Sequence, residues 1–167
     1  MSLHDKQPLP DLENFALADT LKKDVVTLAT EIGPRSVFVP DALERSAGFL
    51  EDRFNQLGLD VRRESFVVPA GVKFTRGLRE DIVTSQEIEV SNIIAEKRGT
   101  TRPDEIVIVG AHYDTQGVDT PGANDNASGV AAMLEIARAL KDEPFRFIGY
   151  VNEEPPFSWG GLHGKRS

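Results

Sequence analysis

Glu105-Ile106-Val107-Ile108-Val109-Gly110-Ala111 is a continuous apolar run behind one acidic residue, and it leads straight into His112-Tyr113-Asp114. Such a run predicts a strand buried on both faces, in the middle of an α/β sheet. Residues 113–126 are rich in Asp, Gly, Thr, Pro and Asn and read as a loop. From Ala127 to Leu140 the apolar residues Val130, Met133, Leu134, Ala137 and Leu140 recur at helical spacing, and Pro144 closes the pattern. Phe145 to Val151 then reads as a second buried strand. Strand, loop, helix and strand make a βαβ unit, whose right-handed crossover lays two strands parallel. The predicted fold class is therefore α/β, a sheet of mostly parallel central strands flanked by helices.

Upstream, Leu17, Leu21, Val25, Leu28 and Ile32 predict an amphipathic helix over 11–32, stopped by Gly33-Pro34. A second helix is expected from Pro40-Asp41, with Asp41 as its cap and an apolar stripe of Leu43, Ala47, Leu50, Phe54 and Leu57. Gly58 stands where a helix C′ glycine belongs. Alternation from Leu59 to Val68 predicts a strand, as does the stretch 90–96, whereas 72–89 shows no clear period. Residues 1–10 read as a flexible arm, 11–157 as one domain, and 158–167 as a tail without pattern.

The sequence has 167 residues, with 19 Lys+Arg against 27 Asp+Glu and a formal charge of −8. An acidic chain lacks the field that holds a phosphate backbone, so nucleic acid is not an expected partner. Cysteine is absent, which removes disulfides, thiolate zinc sites, iron–sulfur clusters and cysteine nucleophiles. No apolar stretch reaches membrane-spanning length and no signal-peptide pattern opens the chain, so the expectation is a cytoplasmic protein without a membrane partner.

In an α/β sheet, ligands gather beyond the carboxyl ends of the strands. His112 and Asp114 follow the first strand, Asp125 lies just before the helix, and Glu153 and Glu154 follow the second strand. The βαβ unit sets both strand ends on one edge, so these groups should converge. Four crowded carboxylates raise one another's pKa unless a cation joins them. With an imidazole in the set, zinc or a similar transition ion fits better than calcium or magnesium. Such a cation acidifies a water molecule, and a free carboxylate can take the proton. Each residue also has a plainer reading. His112 could be a locally bonded core histidine, Glu153-Glu154 a solvated turn, and Asp125 a helix cap. The faint EF-hand spacing from Asn124 to Glu135 lacks the first Asp, Gly122 to Gly129 lacks a P-loop ending, and Ser128 lacks the nucleophile-elbow frame.

Three segments carry a resemblance: Ile108 to Thr115, Pro121 to Val130, and Asn152-Glu153-Glu154-Pro155-Pro156-Phe157. In this order they closely resemble the zinc exopeptidase family, which includes leucyl aminopeptidases, aminopeptidase Y, glutamate carboxypeptidase and glutaminyl cyclase. The resemblance implies a three-layer sandwich of the zinc exopeptidase type. It also implies that His112 binds one zinc, Asp125 bridges two, and Glu154 binds the second. Glu153 would be the general base, and Asp114 would orient the ring of His112. The implied reaction is hydrolysis of terminal peptide bonds in a peptide substrate.

The same resemblance implies two further ligands downstream, an aspartate and a late histidine. Beyond Glu154 there is no Asp or Glu, and His163 lies too close to the pair to be the late histidine. The expectation is thus the N-terminal part of such a domain, truncated at the C-terminus, with weak or partial zinc binding and impaired hydrolysis. Two alternatives stand beside it. One is a non-catalytic fragment that self-associates through an exposed sheet edge, and the other is a one-zinc, glutaminyl-cyclase-like acyl transfer.

Overall fold

The structure is a computed structural model and describes residues 11–75, 81–101 and 104–157. The expected arm (1–10) and tail (158–167), with His4, Trp159 and His163, lie outside the described residues. Helix α1 (Asp11–Val26) continues into a wider turn, Thr27–Ile32, closed by the Gly33 N–H on the Leu28 carbonyl at 3.1 Å. Its buried stripe is not the one that spacing suggests. Leu17 is 40% exposed, while Asp24, Leu28 and Ala29 are buried. Helix α2 (Pro40–Gln56) starts with proline in its first turn, so Asp41 sits inside that turn and makes no capping bond. Its buried residues Leu43, Ala47, Leu50 and Phe54 follow the expected stripe. Gly58 takes φ 73°, the left-handed conformation its position requires, and its N–H bonds to the Asn55 carbonyl.

Strands β1 (Asp60–Val68) and β4 (Ile88–Glu96) pair antiparallel, and the patternless stretch between them holds a small hairpin, β2 (Lys73–Phe74) with β3 (Ile82–Val83). Strand β5 (Val107–His112), helix α3 (Ser128–Ala139) and strand β6 (Phe145–Tyr150) form the expected βαβ unit, with β5 and β6 parallel. The four-stranded sheet runs β1-β4-β6-β5. Only β5–β6 is parallel, because among the described residues no helix crosses over between β1 and β4 or between β4 and β5. Chains joined without a crossover reverse direction, so the sheet is mixed rather than mostly parallel.

The apolar run at 106–109 also misleads in one respect. Among the described residues strand β5 is an edge strand, and Ile106, Val107 and Ile108 are about half exposed. A run of β-branched residues shows that a strand forms but not how many neighbours it has. The other edge is different. Along β1, Arg63 pairs with Glu51 at 2.7 Å and Glu44 at 2.8 Å.

Helices α2 and α3 touch each other and pack on the same face of the sheet, with α1 laid against α3. Among the described residues the chain therefore builds two layers of the sandwich. Phe54 stacks on Phe147 with ring centroids 6.2 Å apart, and Phe147 stacks on Phe145. Gly149 leaves room for Leu50, which a Cβ at that position would strike. Among the described residues no helix is long and apolar enough to cross a membrane.

Asp24 is the buried charge of α1, 1% exposed, with Oδ1 2.8 Å from Arg53 Nη1 and no partner for Oδ2. Burial raises its pKa above the ordinary 3.8; Arg53 and Lys23 oppose the rise and the Glu135 carboxylate of α3 adds to it. A carboxyl raised in the native state holds a proton that the unfolded chain has released. Its stability contribution is complete below the unfolded value and is lost as pH rises through the native one. Relative to wild type, Asp24→Asn should therefore become progressively more stable from about pH 4 upward. Urea midpoints measured across that range check this.

Candidate metal centre

The β5–β6 register sets Ala111 opposite Gly149 and His112 opposite Tyr150, and the Tyr113 N–H extends the ladder to the Tyr150 carbonyl at 2.9 Å. Both strands thus end level. The segments that leave them, from Tyr113 and from Val151, emerge on one edge of the sheet.

Asp114 is 3% exposed and points across this edge. Its Oδ1 accepts the Glu153 N–H at 3.3 Å and its Oδ2 the Glu154 N–H at 3.1 Å. Asn152 makes the turn possible with φ 62°, a left-handed conformation that asparagine tolerates. One buried carboxylate therefore fixes where the Glu pair begins. Its Oδ1 also lies 3.5 Å from His112 Nδ1, a buried nitrogen without a hydrogen bond of its own.

On the other side of the ring, His112 Nε2 lies 3.0 Å from Asp125 Oδ1 and 3.7 Å from Glu153 Oε2. Burial pulls the His112 pKa down, but the carboxylates of Asp114, Glu153 and Asp125 outweigh it and lift it to about 9. Glu154 is raised by burial first and then by Asp125 and Asp114, with His112 opposing. His112, Asp125 and Glu154 each offer one ligand atom, and these atoms all lie within 4.8 Å of one another. One imidazole nitrogen and two carboxylate oxygens are a mixed donor set that suits a zinc-type ion and is foreign to an all-oxygen calcium site. Glu153 stays outside that trio, with its side chain 56% exposed to solvent beside it. The structure thus brings together all five residues that the sequence singles out, on one sheet edge.

Asp125 stands in an irregular turn, Ala123–Ala127, ahead of α3, and its peptide bond to Asn126 is cis. The capping role considered for Asp125 falls to its neighbour: the Asn126 side-chain oxygen accepts the Gly129 N–H at 3.0 Å. A residue that the motifs do not contain holds the approach to this turn. Arg35, fully buried, donates from Nη1 to the Pro121 carbonyl at 2.7 Å and from Nη2 to the Gly122 carbonyl at 3.2 Å. Its one signal in the sequence is a charge placed directly after Gly33-Pro34 and before the apolar stretch Val37-Phe38-Val39. Burial lowers the Arg35 pKa to about 10, against the pull of Asp114, so the guanidinium stays charged at neutral pH.

Residues 92–164 match the family described as Peptidase family M28. Over that stretch, which holds all five site residues, the chain is similar to the M28 peptidases. The chain is 33% identical over 165 residues to the protein YfbL of Escherichia coli, a match that takes 89% of the chain and 44% of YfbL. Its fold resembles BSAP, a zinc aminopeptidase from Bacillus subtilis, with a TM-score of 0.66 at 22% identity over 81% of this chain and 62% of that one. It also resembles the glutaminyl cyclase of Fimbriiglobus ruber, with a TM-score of 0.57 at 27% identity over 92% of this chain and 50% of that one. The chain thus spans roughly half the length of these relatives.

Asp114→Ala removes the acceptor of two backbone N–H groups and should cost about 1–3 kcal/mol. Asp114→Asn, which retains one carbonyl oxygen, should cost less. Urea unfolding of both variants measures the difference.

Proposed function

We propose that this chain carries the zinc-binding face of a metallopeptidase that hydrolyses terminal peptide bonds, of the aminopeptidase type. The observation that carries the reading is the convergence of the His112, Asp125 and Glu154 ligand atoms within 4.8 Å, with the Glu153 carboxylate beside them. His112, Asp125 and Glu154 would hold zinc; where the centre takes two ions, His112 would belong to one, Glu154 to the other, and Asp125 to both. Bound there, zinc supplies a Lewis acid for the scissile carbonyl and lowers the pKa of water.

The chain's own residues account for the proton. Glu153, exposed and free of the trio, takes a proton from the attacking water as its oxygen bonds the carbonyl carbon. Glu153 then returns the proton to the amine as the C–N bond breaks, so acid and amine leave with atoms balanced. Asp114 touches neither substrate nor proton. It orients the His112 ring through Nδ1 and anchors the Glu pair through their amides.

Support for zinc comes from the match of residues 92–164 to the M28 family and from the likeness to a structure titled as a zinc aminopeptidase. The likeness to a glutaminyl cyclase supports a second reading, a one-zinc centre that cyclises N-terminal glutamine. In that case the Glu153 proton traffic is unchanged, but the attacking atom is the substrate's own amine nitrogen.

Zinc titration calorimetry on the metal-stripped chain tests the proposal. The expected result is about one zinc per chain at micromolar affinity or tighter, with at least a tenfold loss in His112→Ala and in Asp125→Ala. Glu153→Gln should keep the affinity and abolish any turnover of leucine p-nitroanilide. Absence of zinc binding by wild type would overturn the reading. Turnover of a glutaminyl substrate without peptide hydrolysis would favour the cyclase.

A further inference from the structure

The ligand atoms sit on three separate segments: the end of β5, the irregular turn before α3, and the turn after β6. Something must hold these segments in place against the repulsion of their own carboxylates. For the turn after β6 it is Asp114, through the amides of Glu153 and Glu154. For the long loop 113–122, between His112 and the Asp125 turn, the structure shows a different device.

Arg35 grips that loop at both ends. Its Nε donates to the Tyr113 carbonyl at 2.9 Å, at the loop's entry, and its Nη1 and Nη2 donate to Pro121 and Gly122 at the exit. The middle is held by the backbone of the same residue. The Arg35 N–H donates to Thr115 Oγ1, and the Thr115 N–H donates to the Arg35 carbonyl, both at 2.8 Å. The remaining contacts tie this clamp to the end of the first helix. Nη1 also reaches the Leu28 carbonyl at 2.7 Å and the Gly33 carbonyl at 2.9 Å.

Five carbonyl oxygens thus surround one planar guanidinium, a geometry that an ammonium cannot reproduce. The loop is built to admit it. Gly122 has φ 61°, and a Cβ there would strike Thr115 Cγ2 and come within 2.9 Å of Arg35 Nη2. The guanidinium is also the buried positive charge facing Asp114. Being 0% exposed, Arg35 cannot meet a substrate.

We propose that Arg35 is a positioning residue of the metal centre, fixing the 113–122 loop so that His112, Asp114 and Asp125 stand in place before any cation arrives. The inference rests on the zinc reading for its purpose, but the clamp itself is a property of the metal-free chain. It follows that zinc enters a site already formed and does not order the loop.

Hydrogen–deuterium exchange on the metal-free chain, with and without added zinc chloride, tests this together with calorimetry. In wild type, amides within 113–125 should be protected before zinc is added and change little after. In Arg35→Lys the same amides should exchange faster while β4 stays protected, and zinc affinity should fall by about 10- to 100-fold. Thr115→Val removes one strut of the clamp without touching a ligand and should show the same pattern more weakly. If Arg35→Lys fails to fold, Thr115→Val decides: faster exchange at 113–125 supports the clamp, and unchanged exchange overturns it. A wild-type loop that is open until zinc closes it would overturn the proposal. So would an Arg35→Lys chain that melts earlier yet keeps wild-type loop protection and zinc affinity. If wild type binds no zinc but loses loop protection on Arg35→Lys, the clamp is upheld and the zinc reading fails.

Discussion

The parallel ladder between β5 and β6 is the constraint on which the site depends. Parallel strands cannot be joined by a tight turn, so the chain must leave the end of β5, cross through α3 and return. That detour gives a loop and a helix start at the same sheet edge where β6 will end. Pairing His112 with Tyr150 then makes the two strand ends level, and residues forty positions apart in sequence become neighbours. A shift of two residues along either strand would retain the inward faces but would separate the Asp114 carboxylate from the Glu153 and Glu154 amides. Alternation alone does not forbid that shift. The Asp114 bonds and the aromatic stack of Phe54, Phe147 and Phe145 are what single out the observed register.

Negative charge at this edge is dealt with in two ways. The interior carboxylate, Asp114, is surrounded by permanent partners: two backbone amides, the His112 ring and the nearby Arg35 guanidinium. The rim carboxylates of Asp125, Glu153 and Glu154 have no such set of fixed donors. Glu153 and Asp125 act on the imidazole instead, and after Asp114 they help to lift the His112 pKa to about 9. The rim is thus left with an uncompensated attraction for positive charge, directed at the one place where the ligand atoms meet.

Much of this was legible from spacing and much was not, for identifiable reasons. The α2 stripe and the βαβ unit come through because one face of each meets a core and the period records it. The five site residues come through because polar groups at the ends of apolar strands have few other reasons to be there. The edge position of β5 escaped because Ile106, Val107 and Ile108 would suit a strand with one neighbour or two. The α1 stripe departs from the spacing because Leu17 is exposed and a buried aspartate, Asp24, takes a place that spacing awards to apolar residues. Arg35 escaped for a similar reason. A fully buried arginine is so uncommon that a charge in a loop sequence reads as surface, and its acceptors are backbone oxygens that leave no mark on the sequence.

The two rims of the sheet are unlike each other in a way that gives the molecule a direction. Along β1, guanidinium and carboxylate groups crowd the border and discourage another polypeptide from zipping on. Along β5, from Ile106 to Ala111, no charge, proline or bulge interrupts the outer row of backbone groups, which no strand among the described residues pairs. Lateral growth of this sheet is therefore one-sided. An added strand would lie beside β5, the strand that ends in His112, and would bring its own side chains up to the edge where the ligand atoms meet.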